Sequence, residues 1–214
     1  MKTLDLSLYL VLDPELCGGP AGMLRTARLA AANGATVVQL RAPKWKKRQW
    51  LETALELKAI LAPLGVPLII NDQIDVALAV DADGVHVGQN DLPADVVRQL
   101  IGPDKWLGQS VTNAEQMAAV PYEAVDYLGI GPAYPTGTKL DAAPVIGLAA
   151  FVELVAKSWR PVVAIGGIQL GNCLPLIQAG AKGVAVVSAI CGQNDPARAT
   201  ADLLKAIRSP VPAK

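Results

Sequence analysis

The sequence predicts a compact (β/α)8 barrel, an α/β fold of eight short parallel strands, each followed by a helix. Three observations carry that expectation. Short β-branched runs alternate with longer Ala/Leu-rich runs along the whole chain. Most of the short runs (VVQL, LII, VVAI, VAVV) are apolar on both parities, as parallel strands buried on both faces must be. Finally, 214 residues shared among eight units leave about 27 for each, which suits a small barrel. Alternation by itself does not demonstrate closure, so an open doubly wound sheet is the second architecture.

Strands are expected at 9–13, 37–41, 68–72, 84–88, 106–111, 127–131, 162–166 and 183–188. Between the second and third, Trp50, Ala54, Leu57 and Leu61 recur at i, i+4, i+7 and i+11, with Leu51 and Leu55 beside them. The last helix starts at Asp195-Pro196, a cap followed by proline in the first turn, and repeats its stripe at Leu203, Ala206 and Ile207. A weak repeat recurs where a small or acidic turn enters a strand: Asn33-Gly34-Ala35, Ala82-Asp83-Gly84, Val125-Asp126-Tyr127 and Gly180-Ala181-Lys182. Glycine there suits a helix end feeding the next strand. No composition break marks a second domain, so residues 1–214 read as one, with 209–214 as a frayed tail.

Composition narrows the function classes. Hydrophobic residues make up 52% and charged ones 18%, below the roughly 25% of an ordinary soluble domain, so the chain must bury itself and cannot be disordered. Nineteen basic residues balance nineteen acidic ones, and aromatics are 4%, which argues against nucleic acid as a partner. The longest apolar stretch, 59–70, is broken by Pro63 and Pro67 and is too short for a membrane span. The start, Met1-Lys2-Thr3-Leu4-Asp5, does not read as a secretory signal. Cys17, Cys173 and Cys191 form an odd set without a CxxC pair, which fits a reducing, cytoplasmic setting. The single histidine, His86, cannot build a zinc site or a Ser-His triad alone, so an enzyme here works without an imidazole base.

In parallel α/β folds ligands sit where strands run out. Those positions are polar in this apolar chain: Gln39 and Arg41, Asn71 and Asp72, Gln89 to Asp91, Ser110, Thr136 to Lys139, Gly166 and Gly167, and Ser188. Ile165-Gly166-Gly167-Ile168 and Val187-Ser188-Ala189-Ile190 follow the last two strands. There small residues let backbone N–H groups approach phosphate oxygens, a reading favoured over a mere tight turn. Asp72 and Asp91 end neighbouring strands about 4.8 Å apart and suit one hard cation; helix capping explains them equally well. Arg41 finishes a strand and faces the barrel mouth, with Lys44 near enough to join it, whereas Lys46, Lys47 and Arg48 read as a solvated face. The loop Tyr134-Pro135-Thr136-Gly137-Thr138-Lys139 has the hydroxyls and hinge of a lid over anions, or of a plain surface loop. His86 reads as a satisfied inner-barrel histidine, Cys173 and Cys191 as apolar fillers, and the four tryptophans as packing anchors.

Taken in order, Val38-Gln39-Leu40-Arg41, Ile70-Asn71-Asp72, Ala82 through Asp91, Gly108-Gln109-Ser110, Asp126 through Pro132 with Tyr134 through Lys139, Ala164 through Ile168, and 180–190 resemble the thiamine phosphate synthase family. The resemblance runs from the second strand to the eighth. It implies a transferase that joins a hydroxymethylpyrimidine diphosphate to a thiazole phosphate with Mg²⁺, giving thiamine monophosphate and pyrophosphate. By that resemblance Asp72 and Asp91 are the Mg²⁺ ligands. Gln39, Arg41, Asn71, Ser110 and Lys139 contact the pyrimidine diphosphate, and Thr136, Thr138, Gly167, Val187 and Ser188 hold the thiazole phosphate. Arg41, Lys44, Ser110 and Lys139 are the candidate catalytic group.

The chain departs from the family pattern at two places. Pro43 stands where the family usually has lysine, so that contact passes to Lys44, and Gln73 replaces a residue that is commonly charged. The implied chemistry needs no side-chain nucleophile and no strong base, which matches the scarcity of histidine. A thiazole tautomerase on the same barrel, or a non-catalytic thiamine-phosphate binder, is the alternative. The set Asp72, Asp91, Ser110 and Lys139 favours the synthase.

Overall fold

A computed structural model of the chain describes residues 4–137 and 144–209. Eight parallel strands close into a barrel in sequence order: β1 (Leu8–Leu12), β2 (Val37–Leu40), β3 (Leu68–Asn71), β4 (Gly84–Val87), β5 (Trp106–Val111), β6 (Tyr127–Ile130), β7 (Val162–Ile165) and β8 (Gly183–Val186). Strand β1 pairs with both β2 and β8, so the sheet has no edge and the open-sheet alternative falls. Between the strands run α1 (Pro14–Cys17), α2 (Pro20–Ala32), α3 (Lys47–Leu61), α4 (Ile74–Ala79), α5 (Ala94–Ile101), α6 (Ala114–Ala119), α7 (Gly147–Lys157), α8 (Leu174–Gln178) and α9 (Pro196–Arg208).

Seven of the eight strands stop one or two residues short of the expected ends, for local reasons. Asp13 leaves β1 to cap α1, its carboxylate accepting from the Leu16 N–H. Asp72 and Gly166 have φ of 58° and 96°, a left-handed backbone no strand can continue through. The buried stripe of α3 is Trp50, Ala54, Leu57 and Leu61, as its periodicity requires; Leu51 is half-buried and Leu55 faces solvent. In α9, Asp195 caps by accepting from the Arg198 N–H, and Leu203 and Ile207 bury the stripe. Ser209 ends α9 with its hydroxyl donating to the Lys205 carbonyl; 210–214 lie outside the described residues.

Inside the barrel, large and small side chains alternate. Tyr9, Val11, Val37, Ile69, Tyr127, Val163 and Ala185 fill the lower interior. Space for the rings comes from glycines. A Cβ on Gly108 would lie 2.2 Å from Tyr127 Cζ and 2.5 Å from His86 Nδ1, and one on Gly129 would lie 3.1 Å from His86 Cε1. Outside, the helices pack over Leu8, Leu10, Val38, Leu40, Ile70 and their neighbours.

At the strand entrances, acidic side chains tie loops to the sheet. Asp83 accepts from the Leu68 N–H, and Asp126 accepts from the Leu107 N–H and from Arg98. Arg98 also donates to the carbonyls of Ala124, Gly102 and Lys105. Asp81 pairs with Lys58 at 3.1 Å and Lys105 at 2.5 Å.

Candidate active site

The strands run out around a cavity of about 180 Å³, where one water needs about 10–15 Å³, so the space is sized for a ligand. It gathers Gln39 and Arg41 from the end of β2, Asn71 from β3 and Ser110 from β5. Thr136 enters from the loop after β6, Gly167 from the loop after β7, and Val187 and Ser188 from the end of β8. Residues separated by up to 149 positions are thus brought to one mouth because every strand points the same way.

The walls are arranged for anions. Arg41 is half-buried beside the cavity, and no carboxylate among the described residues forms an ion pair with it. A guanidinium held partly out of water without a counter-charge is an open demand for one. Elsewhere on the same rim, the N–H groups of Gly167 and Ser188 donate to no acceptor among the described residues. The double glycine does more than turn the chain. A Cβ on Gly166 would lie 2.5 Å from Pro132 Cα, and one on Gly167 would lie 2.4 Å from the Pro135 carbonyl, so both are needed for the β6 loop to lie against the β7 loop. Asn172 braces this corner by donating to the Gly167 carbonyl at 3.0 Å, and Gln169 donates to Ser188 Oγ at 3.0 Å.

Asp72 and Asp91 belong to adjacent strand ends. The Asp72 N–H continues the ladder to the His86 carbonyl at 3.0 Å, and Asn71 donates to Asp72 Oδ2. Asp91 folds back so that Oδ2 accepts from the Gly88 N–H at 2.7 Å; a Cβ on Gly88 would lie 2.9 Å from that oxygen, so glycine makes the position available. Neither side chain caps the helix that follows: the cap positions of α4 and α5 are Gln73 and Pro93, without side-chain cap bonds. Neither carboxylate is among the residues that line the cavity, although carboxylates of this kind are what Mg²⁺ takes, one or two at a time with water and phosphate oxygens. Among the described residues no group of three or more acidic, histidine or cysteine side chains is placed to hold a metal.

Other expected site residues fall elsewhere. Lys44 pairs with Glu15 at 2.5 Å, is 74% exposed, and is not among the cavity residues. The hydrogen bond to Glu15 raises its pKa. Lys47 at the far end of the basic cluster pairs with Asp75 at 2.6 Å, as a solvated face would. Thr138 and Lys139 lie outside the described residues. Cys173 and Cys191 are buried in the core.

Sequence reasoning missed the floor of the cavity. Tyr9 and His86 line it, and Tyr127 lies directly behind them. His86 is indeed a satisfied inner-barrel histidine, but one of its partners is Ser110: Nε2 lies 2.9 Å from Ser110 Oγ, and Nδ1 lies 3.2 Å from the Tyr127 hydroxyl. Burial pushes the Tyr9 and Tyr127 phenols above their ordinary range, so both keep their protons. The available signal was two tyrosines in buried strands, since a buried phenol requires a hydrogen-bond partner.

Comparison with known proteins agrees with this geometry. A family profile described as thiamine monophosphate synthase matches residues 8–190. A thiamine-phosphate synthase of Laribacter hongkongensis is 58% identical over 202 residues, covering 94% of this chain and 95% of that one. One from Xanthobacter autotrophicus is 50% identical over 207 residues, covering 96% and 97%. Among solved structures, a thiamine phosphate pyrophosphorylase from Pyrococcus furiosus superposes with a TM-score of 0.85 at 34% identity, covering 95% of this chain and 96% of that one. The chain belongs to the thiamine monophosphate synthase family, transferases of thiamine biosynthesis built on the (β/α)8 barrel.

Proposed function

We propose that the chain joins 4-amino-2-methyl-5-hydroxymethylpyrimidine diphosphate to a thiazole phosphate, releasing pyrophosphate and forming thiamine monophosphate. The observation that carries this reading is Arg41, half-buried at the cavity without a carboxylate partner among the described residues, on the same mouth as the N–H groups of Gly167 and Ser188, which donate to no acceptor among those residues. One mouth thereby offers two anion positions, as two phosphorylated substrates require.

The bond from the exocyclic methylene to the diphosphate oxygen breaks with its electron pair leaving on oxygen. The electron-rich aminopyrimidine stabilises the resulting cation, and the thiazole nitrogen then supplies the pair for the new C–N bond. No proton has to be taken by a side chain. What the protein supplies is fixed charge and orientation where negative charge grows. Arg41 and Asn71 face the diphosphate, Gln39 and Ser110 orient the pyrimidine diphosphate, and Thr136, Gly167, Val187 and Ser188 hold the thiazole phosphate. Lys139 and Thr138 take their roles from the family resemblance. Asp72 and Asp91 would hold Mg²⁺, which when bound neutralises charge on the leaving diphosphate.

The test is a product assay with both substrates and Mg²⁺. Thiamine monophosphate and pyrophosphate in equal amounts are expected, with EDTA abolishing the reaction and added Mg²⁺ restoring it. Isomerised thiazole alone, or binding without product, overturns the reading; synthesis unaffected by EDTA removes the metal from it.

A further inference from the structure

The floor of the cavity is a single file of five side chains from five strands. Gln39 Nε2 donates to the Tyr9 hydroxyl at 2.8 Å, and the Tyr9 and Tyr127 hydroxyls are 2.9 Å apart. The Tyr127 hydroxyl then meets His86 Nδ1 at 3.2 Å, and His86 Nε2 meets Ser110 Oγ at 2.9 Å. Counting protons gives the file a direction. A phenol has one proton to donate. Tyr9 receives the Gln39 N–H, so its own proton goes to Tyr127. Tyr127 in turn donates to His86 Nδ1, which must be bare. A neutral imidazole with a bare Nδ1 carries its proton on Nε2, and that proton goes to Ser110 Oγ. Ser110 keeps one hydroxyl proton, and Ser110 lines the cavity.

We propose that Tyr9, Tyr127 and His86 are positioning residues: a one-way hydrogen-bond file that holds the Ser110 hydroxyl as a donor toward the bound ligand and couples its direction to that of the Gln39 amide. The coupling follows from the same count. Turning the Gln39 amide over so that its oxygen faces Tyr9 reverses every bond in the file. His86 would then carry its proton on Nδ1, and Ser110 would offer the cavity a lone pair instead of a proton. In the observed direction Ser110 favours an acceptor, such as an oxygen of a diphosphate. Gln39, with Nε2 committed to Tyr9, has its amide oxygen left for a ligand donor such as an amino group. The assignment of ligand groups rests on the function proposed above, whereas the direction of the file does not.

The packing shows how such a file is kept intact. Tyr9 and Tyr127 are both fully buried, and their rings lie 6.0 Å apart at 52°. Gly108 and Gly129 clear the space that the Tyr127 and His86 rings occupy. Both phenols thus sit in enclosed space that the barrel strands shape around them.

The chain has one histidine, so imidazole ¹⁵N spectra of the full-length protein contain one residue's signals. In wild type we expect a neutral ring protonated at Nε2, with or without inorganic pyrophosphate. Tyr127→Phe removes the donor to Nδ1 and should populate the Nδ1–H form. It should lower kcat about tenfold, the worth of roughly one hydrogen bond, with KM for the pyrimidine diphosphate nearly unchanged. Because Tyr127 acts through Ser110, the same substitution should cost nothing further in a Ser110→Ala background, and Ser110→Thr, which keeps a hydroxyl, should recover activity over Ser110→Ala. An Nδ1–H or doubly protonated ring in wild type overturns the file without any variant. So does an unchanged tautomer in Tyr127→Phe, or losses that add in the double variant. Correct tautomers in a protein that makes no thiamine monophosphate would leave the file standing and sink the proposed function instead.

Discussion

The two ends of the barrel use charge in opposite ways. At the strand entrances Asp81, Asp83 and Asp126 are all engaged, by Lys58 and Lys105, by the Leu68 N–H, and by Arg98 with the Leu107 N–H. At the mouth, Arg41 has no ion pair among the described residues, and Asp91 is held by a backbone N–H rather than by a cation. The same residue types thus do two jobs. Below, these three carboxylates are satisfied by the fold and tie loops to the sheet. Above, Arg41 is held at the cavity without an ion pair among the described residues, while Lys44 and Lys47 outside the cavity pair with Glu15 and Asp75. The balance of nineteen positive and nineteen negative side chains conceals that division.

If the division is right, substitutions should separate rate from stability. The largest effect is expected at the mouth: Arg41→Ala or Asp91→Ala should lower kcat/KM by about 10²–10³, the usual cost of one preorganised contact, with Tm held or slightly raised. Steady-state kinetics beside thermal unfolding would check it, and near-wild-type turnover would remove that residue from the mechanism. Next comes Arg98→Ala, which strands Asp126 and three carbonyls at the entrance. It should lower the unfolding free energy by about 2–3 kcal/mol in denaturant melts while activity per folded molecule is unchanged. A loss of kcat there would break the comparison.

A smaller effect concerns acid. Lys105 first and Lys58 second lower the Asp81 carboxyl to about 2. A depressed carboxyl stabilises the fold above its unfolded value and loses that contribution as pH falls through about 2. Stability curves measured from pH 5 downward should therefore fall less steeply for Asp81→Asn than for wild type. The smallest effect is expected of Lys44→Ala, because an exposed pair with Glu15 stabilises little. Tm should hold, and a kcat/KM within twofold of wild type would exclude Lys44 from the diphosphate site. A tenfold loss would instead place it there, with the Glu15 pair broken on binding.

Strand order and the residues of the mouth could be read from the sequence for one reason. A doubly buried strand must be apolar throughout, so polarity appears where it stops. Gln39, Arg41, Asn71, Ser110 and Ser188 stand out on that ground alone. Closure was not legible, because it depends on the pairing of β1 with β8, between residues about 175 positions apart. Nor was the floor. Tyr9 and Tyr127 sit near the starts of apolar strands, 118 residues apart, and each looks locally like any buried aromatic. Only the barrel's curvature, with glycine at 108 and 129, sets their hydroxyls against each other. The placement of Asp91 was also hidden, since capping and metal binding share one sequence pattern; the carboxylate folds back onto the Gly88 N–H and does not cap α5.

The seam between β1 and β8 has a consequence for how the protein is born. Tyr9, which helps floor the cavity, leaves the ribosome long before Val187 and Ser188, which complete its wall. A nascent chain carrying only the first seven strands holds β1 with one neighbour missing and the Val187–Ser188 part of the cavity wall unmade. At about 5–20 residues per second, the earliest site residue waits on the order of ten seconds or more for its companions. The cavity is therefore complete only once the eighth strand has docked.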